Sequence, residues 1–189
     1  MTITARSTCP AASPTALASA VRAAVVGGGS PSGVAARVAT ALARHLPAPA
    51  QLLTGPQLAG DPAGYQTHRV HVEPDGSFSI AVMVWRPGQV TPIHDHVSWC
   101  VTGVLQGIEY EEIFGLGPGG STLTELVRRE NAPGTVAGFA PPGDIHRVRN
   151  SGDGIAVSMH VYGADLARLG SSIRRVYDLP VQRQLTGPR

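Results

Sequence analysis

The sequence predicts an all-β fold, a jelly-roll barrel with short N-terminal helices packed outside it. Three observations predict it. From Tyr65 onward, β-branched and polar residues alternate with the period of two that gives a strand one buried and one wet face. Clusters of Gly, Pro, Asp and Asn cut that alternation into short lengths, as the turns of an antiparallel sheet require. Before Tyr65 the period is helical: Val34, Val38, Leu42 and Leu46 recur every fourth residue as one apolar stripe, with Arg37 and Arg44 off it.

At 189 residues, 42% hydrophobic and 15% charged, the chain suits one domain with a substantial core. Residues 1–33 are expected to form a mobile N-terminal tail and a short helix. Residues 34–189 then form a single domain, a barrel over about 65–162 with an N-terminal helix and a C-terminal extension. Residues 1–14 carry little that could be buried and are expected to be disordered. Helices are expected over 17–26 and 34–46, separated by the glycine-rich segment 27–33. The expected strands are 66–72, 78–85, 99–105, 107–114, 123–129, 136–139, 146–150 and 155–162, with turns at 73–76, 115–120, 131–134, 141–144 and 150–154. After Tyr162 the pattern returns to helix or coil over 164–170 and 171–177, followed by a proline-containing tail.

Charge and cysteine content exclude several classes. The net charge is +2, and the 15 basic residues are scattered except for pairs such as Arg128-Arg129 and Arg174-Arg175, which fits a solvated surface better than a nucleic-acid groove. Only Cys9 and Cys100 occur, too few for a disulfide framework. No basic start leads into the apolar core of a signal peptide, and no apolar run reaches the roughly 18 residues that span a bilayer. The expectation is a soluble cytoplasmic protein, monomeric or a small homo-oligomer, with neither nucleic acid nor membrane as partner.

The chemistry is concentrated in Gly88-Gln89-Val90-Thr91-Pro92-Ile93-His94-Asp95-His96-Val97-Ser98-Trp99-Cys100, closed by Gln106-Gly107. On a strand, His94 and His96 share a face and Asp95 points the other way. A third imidazole comes from the turn that begins Pro141-Pro142-Gly143, which delivers His146 to the start of a strand. Three neutral imidazoles fill half of a six-coordinate metal's positions and leave the rest for reactants. A lone histidine is more often merely a polar surface residue, but a His-X-His pair joined by a turn-delivered third is a metal-binding arrangement. Farther on, Ser158, His160 and Tyr162 fall on one strand face and can hydrogen-bond in series. Trp85, Trp99 and Ile145 are candidates for a dry wall, or plain core.

These stretches resemble the paired motifs of the cupin superfamily. The first runs Gly88, five residues, His94, His96, three residues, Cys100, six residues, Gly107, with Cys100 where the superfamily has glutamate. The second matches from Pro141 to Asn150, its leading glycine, Gly134, one residue too far upstream. A histidine-only face leaves more positive charge on the metal than one with a carboxylate, which suits an anionic thiolate. With Leu105-Gln106-Gly107, Ile145-His146-Arg147-Val148 and Ser158-X-His160-X-Tyr162, the set resembles the cysteine dioxygenase family of thiol dioxygenases.

The resemblance implies Fe(II) on His94, His96 and His146, a relay of Ser158, His160 and Tyr162, and addition of both atoms of O2 to a small thiol to give a sulfinate. It also implies that Cys100 can form a thioether with Tyr162. Substrate selection is less determined. Cysteine-specific members resemble one another in an arginine just after the tyrosine that opens the first strand, whereas members acting on 3-mercaptopropionate tend to have glutamine. Here the chain reads Tyr65-Gln66-Thr67-His68-Arg69. Gln66 fits the glutamine type, Arg69 reaches the site if the strand carries a bulge, and Arg168, Arg174 and Arg175 are candidates for an arginine beyond the relay. The balance leans towards 3-mercaptopropionate or a related thiol carboxylate over L-cysteine. The rival classes are another metal-dependent cupin enzyme, an isomerase or a carbon-substrate dioxygenase, and a non-catalytic cupin that binds a small molecule.

Overall fold

The computed structural model describes residues 13–183, so Cys9 and most of the segment expected to be disordered lie outside the described residues. Two helices open it, α1 (Pro14–Val26) and α2 (Pro31–Arg44). Each begins with a serine whose hydroxyl accepts a backbone N–H, Ser13 from Ala16 at 3.1 Å and Ser30 from Gly33 at 3.2 Å, and each has proline in its first turn. This Ser-Pro start is why both helices begin three residues earlier than their apolar stripes indicate. Residues 55–58 add one short turn, α3 (Gly55–Leu58).

Eleven strands follow, in two sheets. The first sheet has the order β1 (Gln66–Val72), β2 (Ser79–Trp85), β9 (Ala156–Tyr162), β4 (Cys100–Gln106), β7 (Val136–Phe139). The second runs β10 (Ile173–Val176), β3 (His94–His96), β8 (His146–Asn150), β5 (Glu109–Leu116), β6 (Leu123–Asn131), β11 (Val181–Arg183). The jelly-roll barrel is formed as expected, with the short helices outside it. Among the described residues no helix is long and apolar enough to cross a membrane.

The first sheet is covered on both faces. Ile80, Val82 and Val84 of β2 join Met159, Val161 and Val101 under Leu17, Val21, Val38 and Leu42 of the helices. The alternate residues Ala81, Met83 and Trp85 turn into the barrel. That double burial explains why β2 reads as an unbroken apolar run rather than an alternation. Helix α2 lies close because Gly103 and Gly138 face it: a Cβ at Gly138 would stand 3.1 Å from the Ala35 carbonyl oxygen.

The C-terminal extension departs from expectation. Residues 173–176 form β10, paired antiparallel with the His-Asp-His strand, and 181–183 form β11, parallel to β6. The helical part is confined to α4 (Leu166–Leu169), capped by Asp165. The cause is Asp95, 1% exposed on the outer face of β3. Its carboxylate accepts from Arg174 at 2.6 Å, Arg175 at 2.9 Å and the Tyr177 hydroxyl at 2.8 Å. Those contacts fasten an otherwise exposed edge strand, whose charged residues mask its strand character.

Gly107 closes the turn between β4 and β5 with φ +74°, and a Cβ there would come within 2.7 Å of Ala156 Cα. Gly107→Ala is therefore expected to cost about 2 to 3 kcal/mol in urea unfolding. A loss below about 0.5 kcal/mol would show that this turn is not constrained as described.

Candidate metal centre

His94 and His146 are direct partners across β3 and β8, and His96 lies two residues along the same face of β3. All three are buried, and one ring nitrogen of each lies within 4.8 Å of the others. Their tautomers follow from what surrounds them. His94 Nδ1 meets the Pro92 carbonyl oxygen at 3.0 Å, His96 Nδ1 meets Asp144 Oδ2 at 3.1 Å, and His146 Nδ1 meets Glu111 Oε1 at 2.8 Å. All three partners only accept, so each Nδ1 carries the proton and donates it, leaving Nε2 with its lone pair free. This donor set fits a divalent transition metal.

Electrostatics keep His94 and His96 ready to ligate. Burial, reinforced by His146 and His96, pushes the His94 pKa down to about 3, and burial also lowers that of His96. Burial opposes ionisation of Glu111, but His146 and Arg129 outweigh it and hold the carboxyl at about 2. The same contest lowers Asp144, which accepts both the backbone N–H of His96, at 2.9 Å, and its ring N–H. Arg129 Nη2 stands 2.7 Å from Glu111, so this buried carboxylate keeps a counter-charge.

The three rings open onto a cavity of about 340 Å³, the size of a small-molecule site. Met83 and Trp85 line one side, His160 and Tyr162 another, and Ser172 and Ile173, at the start of β10, a third. The face of β1 towards the cavity carries Tyr65, Thr67 and Arg69. Arg69 reaches it by strand alternation from Tyr65; the β1 bulge comes after it, between Arg69 and His71. Its Nη1 donates to the Leu166 carbonyl at 3.1 Å.

Ser158, His160 and Tyr162 form a hydrogen-bonded series along β9. Ser158 Oγ lies 2.9 Å from His160 Nε2, and His160 Nδ1 lies 3.2 Å from the Tyr162 hydroxyl. Trp85 Nε1–H donates to Ser158 Oγ at 3.2 Å. Burial, then the neighbouring metal-site histidines, lowers His160 to about 3, so its ring is neutral. Cys100 stands directly opposite Tyr162 across β4 and β9, fully buried, and burial pushes both its thiol and the Tyr162 phenol well up.

Other sequence candidates lie elsewhere. Gln66 occupies the far face of β1, in a shallow cleft with Gln57 and His68, because its neighbours Tyr65 and Thr67 take the cavity face. Arg168 is exposed on α4 and does not line the cavity. Arg174 and Arg175 are drawn to the outer face of β3 by Asp95. Trp85 forms a cavity wall, whereas Trp99 packs under the helices and Ile145 joins Ile93, Phe114 and Leu123. Asp144 and Glu111 were not singled out in the sequence. Asp144 shares the turn with His146, and Glu109 and Glu111 repeat on β5 the X-alternation that marked the histidines.

Replacing His94 with Ala is expected to remove most of the bound metal, measured by elemental analysis, whereas Asp95→Asn keeps it and costs about 2 kcal/mol of stability at neutral pH. Equal metal loss in both would overturn the facing of β3. Asp95 is held below its ordinary 3.8, although burial works against it, because Arg174, Tyr177 and Arg175 favour the carboxylate. Its stabilisation is complete above that value and is lost as pH falls through the lowered one, so the gap between wild type and Asp95→Asn should narrow below about pH 4.

Among solved structures, a Thermus thermophilus protein is 22% identical, with a TM-score of 0.43 over 61% of this chain and 92% of its own. A Salinispora arenicola cupin 2 conserved barrel domain protein is 23% identical, with a TM-score of 0.41 over 56% of this chain and 80% of its own. A Desulfitobacterium hafniense cupin superfamily protein is 13% identical, with a TM-score of 0.41 over 53% and 78%. The family profile described as cysteine dioxygenase type I matches residues 58–171, which takes in β1 to α4, every metal-site histidine and the Ser158, His160 and Tyr162 series. By that match the chain belongs to the cysteine dioxygenase type I family.

Proposed function

We propose that this protein is a non-haem Fe(II) thiol dioxygenase that converts a small thiol carboxylate to its sulfinate. The observation that carries the reading is the neutral, histidine-only donor set beside the Ser158, His160 and Tyr162 series, with Cys100 buried against Tyr162 where other cupins place a glutamate. Iron(II) on His94, His96 and His146 would supply the redox chemistry that joins O2 to sulfur. Overall R–SH and O2 give R–SO2H: both oxygen atoms end on sulfur, sulfur is oxidised, O2 is reduced, and no outside reductant is needed.

The protein's own groups hold the reactants. Arg69, at the mouth of the cavity, is placed to pair with a carboxylate while one N–H anchors it to Leu166. Met83, Trp85, Val148 and Leu166 give the cavity apolar walls. Tyr162 is held by His160 with its hydroxyl at the cavity. Among the described residues that line the cavity there is no Asp or Glu, so a substrate ammonium meets no counter-charge. This favours 3-mercaptopropionate over L-cysteine and replaces Gln66 as the reason for that preference. The free, buried Cys100 suits a reducing compartment and supports a cytoplasmic location.

Oxygen uptake by the Fe(II)-loaded protein should rise with 3-mercaptopropionate, less with L-cysteine, and not with propionate. No thiol-dependent uptake despite bound iron would end the reading. Arg69→Gln is expected to raise KM about 30-fold with a smaller change in kcat; an unchanged KM would remove Arg69 from carboxylate binding. Cys100 and Tyr162 are also expected to join, breaking S–H and ring C–H bonds to form C–S, with O2 taking the two hydrogens. Intact-mass measurement after turnover should show a fraction lighter by two hydrogens that is lost in Cys100→Ser.

A further inference from the structure

The hydrogen bonds of the series end at Ser158 and Trp85, but a further polar side chain is buried beyond them. This is Glu109, the first residue of β5, away from the cavity and 3% exposed. Its carboxyl faces the Ser158 hydroxyl and the Trp85 indole N–H, while Oε1 is buried with no hydrogen-bond partner. The groups packed around it offer no counter-charge. Across β6 and β8 its strand partners are Asn131 and Asn150, both neutral. From β2 and β9 come Trp85 and Ser158, and beyond Ser158 the neutral His160. On its own strand the nearest charge is Glu111, already occupied by Arg129 and His146. Among the described residues Glu109 takes part in no ion pair. Burial, with Glu111, raises its pKa to about 7 against the pull of Ser158 and Trp85.

We propose that Glu109 is a positioning residue that extends Ser158, His160 and Tyr162 into a four-membered proton chain, and that its protonation decides whether Tyr162 donates or accepts at the cavity. The catalytic consequence rests on the thiol dioxygenase reading. The donor and acceptor counts allow two arrangements. With Glu109 neutral, its O–H donates to Ser158 Oγ, Ser158 donates to His160 Nε2, His160 Nδ1–H donates to the Tyr162 oxygen, and the Tyr162 O–H points into the cavity. With Glu109 ionised every bond reverses: Ser158 donates to Glu109, His160 Nε2–H donates to Ser158, Tyr162 donates to His160 Nδ1, and the phenol oxygen faces the cavity as an acceptor. Ser158 accepts from Trp85 Nε1–H in both, so no partner is lost. The two arrangements differ by one proton and one His160 tautomer.

This difference gives the chain a task. A thiol that becomes a thiolate must shed a proton in an enclosed cavity. The ionised arrangement can take it: the Tyr162 oxygen receives the proton, Tyr162 passes its own to His160 Nδ1, His160 passes Nε2–H to Ser158, and Ser158 passes its proton to Glu109. Four hops move one proton about the length of three side chains, with no electron transferred and no ring charged at the end.

The test reads the His160 tautomer from ring 15N NMR shifts in protein loaded with Zn(II), which is diamagnetic, from about pH 5.5 to about pH 8.5. The signal is assigned by its loss in His160→Gln. Wild type should pass from the Nδ1–H to the Nε2–H tautomer with a midpoint near 7. Glu109→Leu leaves Ser158 only His160 to donate to, so it should hold the Nδ1–H tautomer throughout. Glu109→Gln, which preserves volume if the leucine variant fails to fold, should show no pH-dependent change. A single tautomer in wild type across the range, or a switch that persists in the variants, would overturn the proposal. With iron and 3-mercaptopropionate, Glu109→Leu should lower kcat about tenfold with little change in KM and flatten its dependence on pH near 7. Absence of thiol oxidation in wild type would count against the dioxygenase reading alone, because the tautomer measurement needs no turnover.

Discussion

Three imidazoles can share one ion only if each is neutral and turned with the same nitrogen inward. In this barrel that requirement is met by acceptors incapable of donating: a carbonyl at Pro92 and carboxylates at Asp144 and Glu111. Much else follows from placing two carboxylates where water cannot reach them. Glu111 needs Arg129 and Asn131 from β6, and Asp144 needs the backbone N–H of His96. The second sheet is thereby bound together around the metal site by polar contacts as well as by the apolar cluster of Ile93, Phe114, Leu123 and Ile145.

The two sheets divide the work. The first carries the larger apolar core on its outer face, under α1 and α2, and presents its inner face to the cavity. Stability therefore comes mainly from a layer that chemistry does not touch. This separation lets the inner face keep Ser158, His160 and Tyr162 on one strand, β9, while the alternate residues Val157, Met159 and Val161 pack against the helices.

Alternation made much of this legible in the sequence. The pairing of His94 with His96, the outward Asp95, the Ser158, His160 and Tyr162 face, and most strand bounds all depend on a local period of two. What stayed hidden depends on partners distant along the chain. The role of Glu111 comes from a neighbour 35 residues away, whereas Arg69 reaches the cavity by the same local alternation, the β1 bulge lying after it. Strand β10 was hidden because Arg174 and Arg175 look like surface charge until Asp95 is seen beneath them. The proposed metal, thiol and relay rest on family likeness, because spacing alone does not name them.

The wall formed by Ser172 and Ile173 comes from residues that follow the last strand of the main barrel. No metal-site histidine and neither of the carboxylates behind them lies on that segment. Side chains at 172 and 173 can therefore change the width of the entrance while the donor set stays as it is, so that access to the cavity and the chemistry inside it can vary independently.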